Sequence, residues 1–146
     1  MSTTLTTTAA LTPNGLVDSS VTPRPRLWRV GITSGAVAAV ATCITVLAAR
    51  AGDVDVAIDG ERVPLDGFAL FTMVGALFGV ALAKFSSRRA KHPRTTFVRT
   101  TVALTIVSIV PDLIVPATTG SRIVLAFTHV VAAAIIVPAL AARLRD

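Results

Sequence analysis

Two side chains have the chemistry to exchange a proton or hold a cation where the chain is otherwise apolar. They are Asp112, directly after Pro111, and His129, in the middle of the next apolar run. A carboxylate beside an imidazole in a site poor in water titrates as a coupled pair, which suits proton transfer or cation binding. Little else in the sequence offers chemistry. Cys43 is the one cysteine, so the chain can form neither an internal disulfide nor a CxxC redox pair. His92 sits in a basic stretch with no second metal ligand near it. No G-x-S-x-G, H-E-x-x-H or phosphate-binding glycine loop occurs. The expectation is a non-enzymatic protein without cofactor or metal.

What must position these residues is set by composition. The 146 residues are 53% hydrophobic and only 15% charged, with a mean hydropathy of +0.73, where soluble domains carry roughly 25% charged residues. This is the make-up of a membrane protein. The net charge of +6 does not point to nucleic acid, because the basic residues lie between and beside apolar runs instead of forming a stripe on a polar domain. Four runs, 30–49, 68–85, 97–115 and 123–140, are each long enough to cross the roughly 30 Å of hydrocarbon at about 1.5 Å per helical residue. A membrane β-barrel needs alternating polarity, whereas "AVAAVATCITVLAA" is apolar or small throughout. The sequence therefore predicts an all-α, four-transmembrane-helix bundle over 27–146. Residues 1–26, rich in Thr, Ser and Pro and without periodicity, are expected to be a disordered cytoplasmic tail.

Lys and Arg set the orientation. Arg24, Arg26 and Arg29 precede the first run; Lys84, Arg88, Arg89, Lys91, Arg94 and Arg99 lie between the second and third; Arg143 and Arg145 follow the fourth. The other two loops hold only Arg50, Arg62 and Arg122. This asymmetry places both termini in the cytoplasm of a multi-pass plasma (inner) membrane protein. Trp28 suits the headgroup level there, and the basic inner loop "KFSSRRAKHPRTTFVR" suits anionic lipid headgroups, each cation adding about 1 kcal/mol near the surface.

Small residues suggest how the helices meet. Gly31, Gly35, Ala38, Thr42, Thr45 and Ala49 fall on one face of the first helix, and Thr72, Gly75 and Gly79 on one face of the second. Such stripes let backbones approach where lipid supplies no hydrophobic drive for association. They serve packing within the bundle or a seam in a homo-oligomer.

In the third run Thr101, Thr105, Ser108 and Asp112 recur at spacings of 4, 3 and 4 and share a face. In the fourth, His129 shares its face with Ala126, Ala132 and Ala133. Both polar groups are expected to point inward, His129 on the order of 10 Å and Asp112 about 5 Å from the outer boundary. Three readings stand. Pro111-Asp112 forms an interfacial turn, with Asp112 capping amides or pairing with Arg122; or Asp112 and His129 make a structural buried hydrogen bond; or they form a proton or ligand site.

The first outer loop, "RAGDVDVAIDGERVPLDG", alternates Val54, Val56 and Ile58 before Asp59-Gly60, a two-residue turn signature. A short β-hairpin is expected there. The loop is acidic, yet Ala57 and Ile58 stand where a calcium loop needs a ligand and a glycine.

The segments "LWRVG", "VPLDGFALFTMVGALFGV", "VSIVPD" and "THVVAAAIIVPALAARL" together resemble a family of small four-helix bacterial membrane proteins of unknown function. The resemblance spans about residues 27 to 145. It implies a plasma-membrane protein and brings no activity. Two functions follow from the residues: action through helix packing with itself or a partner, or a small proton-coupled carrier or channel component using Asp112 and His129.

Overall fold

A computed structural model describes residues 27–146; the tail expected over 1–26 lies outside the described residues. The chain runs α1 (Leu27–Ala51), β1 (Ala57–Ile58), β2 (Glu61–Arg62), α2 (Leu65–Arg89), α3 (Pro93–Ile114) and α4 (Thr119–Ala141). All four helices are long and apolar enough to cross a membrane. Most start or end beyond the apolar runs, because a helix that stopped at the edge of the hydrocarbon would leave backbone amides and carbonyls unbonded there. α1 thus takes in Trp28 and Arg29, and α2 ends on Arg88 and Arg89, cations that favour a helix C-terminus.

α3 opens with Pro93 at its first turn, where a missing amide proton costs nothing. His92 at the cap position makes no side-chain cap bond. The cap comes instead from Asp146, whose carboxylate accepts from the amides of Arg94 (2.9 Å) and Thr95 (3.1 Å) and from the Thr95 hydroxyl (2.7 Å). The Thr95 hydroxyl, with the two amides and the nearby His92, holds the Asp146 carboxyl below its ordinary range. α4 is capped locally, the Thr118 hydroxyl accepting from the Ser121 amide at 3.2 Å.

α1 packs along both α2 and α4, and α3 leans more closely on α4 than on α2. One apolar cluster, with Ala38, Ala76, Val80, Ala83, Phe97, Ile136 and Leu140, fills the end near the 90–92 turn. A second, with Val46, Val56, Phe68 and Leu125, fills the opposite end. Between them the Thr42 and Thr72 hydroxyls meet at 3.2 Å across the α1–α2 contact. Val40, Ile44, Leu70, Ile106, Val107 and Phe127 face outward and exposed, as a lipid-facing surface requires. α3 is the least covered helix, with only 11% of its span buried.

The expected hairpin forms as a two-stranded antiparallel pair, Ala57 opposite Arg62 and Ile58 opposite Glu61. Asp59 (φ 54°) and Gly60 (φ 82°) both lie in the left-handed region, the backbone of the tight turn that matches strand twist. The hairpin is docked, not merely solvated. Val56 is fully buried, the Asp59 amide donates to Pro116 O (3.0 Å), the Ser121 hydroxyl to Asp55 O (2.7 Å) and Arg50 to Val63 O (2.6 Å). It therefore ties α1 and α4 together at the hairpin end.

The small face of α1 lies against the chain's own helices. A Cβ on Gly31 would meet the Val80 side chain, and one on Gly35 would stand 2.7 Å from Ala76 Cβ. One on Gly79 would stand 3.1 Å from Leu140 Cδ1. Gly75 departs from the expectation of a packing glycine: it is exposed and a Cβ there meets nothing within 4 Å. The contact line of α2 runs through Ala76, Gly79, Val80 and Ala83, and Gly75, one residue and about 100° from Ala76, faces elsewhere.

These contrasts predict that Gly35→Leu, forced against Ala76 and Met73, lowers stability in detergent by about 1–3 kcal/mol. Gly75→Leu should leave the melting temperature close to that of the unaltered protein. Thermal unfolding of both variants checks this, and equal loss in both would remove the packing argument.

Candidate functional site

The polar stripe of α3 and the small face of α4 are turned toward each other. α3 continues unbroken past Pro111 to Ile114, with the Val115 amide bonded back to Pro111 O at 3.0 Å. Asp112 is therefore a helical residue, and the connection falls at 115–118 instead of at Pro111-Asp112. Arg122 does not pair with Asp112; its Nε donates to Val115 O at 3.1 Å and ties the start of α4 to the end of α3.

Asp112 Oδ2 and His129 Nδ1 are 2.9 Å apart. The carboxylate is the more enclosed partner, its side chain 15% exposed against 41% for the imidazole. Nδ1 also lies 3.2 Å from Leu125 O, one turn back on α4. With two acceptors in reach, Nδ1 is the ring nitrogen that carries the proton, and in the neutral ring Nε2 then bears a lone pair. The proton points more nearly at the carbonyl, so Asp112 Oδ2, buried, has no aligned donor of its own. The contact is a close electrostatic one, not a well-directed hydrogen bond.

The pair lines a groove of about 570 Å³ between α2, α3 and α4. It exists because α3 leans on α4 and stands off from α2, where Gly75 adds no side chain to fill the gap. Ile58 and Val63 of the hairpin segment bound one end and Phe97 bounds the other. Phe71, Phe78, Leu104, Leu125 and Ile136 supply apolar wall, and Thr72, Thr101, Thr105, Ser108 and Thr128 add hydroxyls. A shallower depression of about 480 Å³ beside Arg94, Arg99 and Asp146 belongs to the α3 cap.

Other residues singled out in the sequence stand apart. Cys43 Sγ donates weakly to Leu65 O at 3.5 Å within the α1–α2 contact. Among the described residues no group of three His, Cys, Asp or Glu side chains is placed to hold a metal ion. The acidic outer loop contributes one exposed ion pair, Arg62–Asp55 at 2.7 Å. Sequence reasoning missed the groove itself, the hairpin's docking through Ser121 and the Asp146 cap. The Thr118-x-x-Ser121 spacing signals a cap, but nothing local in the sequence points to Asp55 or to residue 146.

Residues 22–146 match the "Family of unknown function (DUF6069)", and the chain belongs to that family. Comparison with curated proteins and with solved structures gives no match.

Because Asp112 and His129 touch, removing either leaves the other short of a partner in a poorly hydrated place, at about 1–3 kcal/mol. Asp112→Asn, His129→Gln and the double variant, melted in detergent, should show that the double change costs less than the sum of the single ones. Strict additivity would mean that the two groups do not interact.

Proposed function

We propose that this protein is a non-enzymatic membrane protein that acts by holding a small occupant in the groove between α2, α3 and α4. One observation carries the reading: a cavity of about 570 Å³ with apolar walls opens within a single chain, and its lining includes a carboxylate–imidazole contact. Ligand sites have this make-up, mostly apolar with a few convergent polar groups. Self-association through the glycine stripe draws less support, because Gly31, Gly35 and Gly79 are already occupied by neighbours within the chain.

A second reading is favoured by the 2.9 Å contact itself. An occupant that engages Asp112 separates it from His129 and changes which of the two holds a proton, the elementary step of a small proton-coupled carrier or channel component. We place the chain in the plasma (inner) membrane with both termini cytoplasmic. Support comes from the concentration of Lys and Arg at 84–99 and at the two terminal segments. Anionic lipid headgroups are the partners that suit the basic loop.

Native mass spectrometry of the protein extracted in lipid-bilayer discs tests the binding reading. The unaltered chain should carry a bound small molecule or lipid that Gly75→Leu, with its new side chain in the groove, lacks. Identical spectra for the two proteins, or a second polypeptide as the sole bound species, would contradict it.

A further inference from the structure

The hydroxyl groups along the groove point to the class of molecule it takes. Thr101 Oγ1 donates to Phe97 O (2.8 Å), Thr105 Oγ1 to Thr101 O (2.9 Å), Ser108 Oγ to Thr105 O (2.8 Å) and Thr128 Oγ1 to Leu125 O (2.7 Å). Thr42 gives its proton to Ala39 O at 2.9 Å, so in the 3.2 Å contact with Thr72 it is Thr72 that donates. Of these, the hydroxyls of Thr72, Thr101, Thr105, Ser108 and Thr128 line the groove; each has committed its one proton and has only lone pairs to offer there. Asp112 offers carboxylate oxygens, one of them buried without an aligned donor. His129 directs its Nδ1 proton at Leu125 O, beside Asp112, and in the neutral ring Nε2 then bears a lone pair. The polar lining is therefore built of acceptors, and a molecule that settles there has to bring the donors.

Resting on the reading that the groove is a binding site, we infer that its occupant is an amphiphile with an N–H-bearing ammonium head, set against Asp112, and an apolar body along the aromatic wall. The carboxylate supplies the charge partner, the hydroxyl oxygens the further acceptors, and Phe71 and Phe78 the apolar surface. An anionic head meets Asp112 with like charge and finds no donor. A quaternary head matches the charge but cannot donate. A bare metal ion uses the oxygens and leaves most of the cavity unfilled. The same head chemistry is carried by an ethanolamine phospholipid and by a free alkylamine.

Binding of decylammonium, decyltrimethylammonium, decanol and decanoate to the purified full chain in phosphatidylcholine discs tests the inference. Decylammonium should bind most tightly and lose about tenfold or more in affinity in Asp112→Asn, the scale of one charge-assisted hydrogen bond. Gly75→Leu should abolish its binding with the melting temperature preserved, which serves as the test should Asp112→Asn fail to fold. Discs that contain phosphatidylethanolamine separate the sources: competition assigns the ammonium to a lipid and its absence to a free amine, and either result sustains the head chemistry. Equal binding of all four probes, lost in Gly75→Leu, would overturn the ammonium assignment and leave the groove as a binding site. Binding of every probe unchanged in Gly75→Leu would overturn both.

Discussion

The requirement that polar groups be satisfied inside the protein where no water can reach them governs most of this structure. It makes the spans helical and carries the helices past their apolar runs. It also turns the hydroxyls of Thr101, Thr105, Ser108 and Thr128 back onto carbonyls of their own helices. Asp112 cannot be satisfied in that way, because a carboxylate has no proton to give a carbonyl and α3 supplies it no free amide. Its partner comes from another helix, and the close approach of α3 to α4 through His129 is the consequence.

That approach leaves space on the α2 side of α3, and three other features maintain it. The small face of α1 draws α2 and α4 onto the same helix, so both are held from behind. The docked hairpin links α1 and α4 at one end through Val56, Ser121 and Arg50. Asp146 fastens the start of α3 at the other. With its neighbours fixed and Gly75 on the facing surface, the joint between α2 and α3 stays open as a groove instead of collapsing. In the proposed reading this open joint is the working part of the molecule and the α1 contacts are its scaffold.

Much of this was legible in the sequence because its causes are local or periodic. Run length and polarity gave four helices; Asp59-Gly60 after alternating valines gave the hairpin; the 4-3-4 spacing from Thr101 put Asp112 on an inward face. Gly31, Gly35 and Gly79 face side chains of other helices of the chain. Gly75 does not, since G-x-x-x-G fixes the relation between two glycines but not which of them faces the neighbouring helix. The end of α3 was ambiguous because Pro111 is compatible with a stop and with a continued helix, and the choice depends on whether Asp112 finds a partner 17 residues further on. The Asp146 cap and the groove were not legible. Each arises from residues far apart in the chain, and an unfilled space between helices has no signature in either sequence.

The state of the His129 ring reports most directly on the Asp112–His129 contact from which this account is built. Nitrogen-15 magnetic resonance of the histidine-labelled protein in lipid bilayers, with the His92 signal removed by His92→Gln, gives that state. The expected result is a protonated Nδ1 and, in the neutral ring, an unprotonated Nε2, with the Nδ1 signal shifting when Asp112 is changed to Asn. A neutral ring protonated at Nε2, with both signals indifferent to Asp112→Asn, would contradict it.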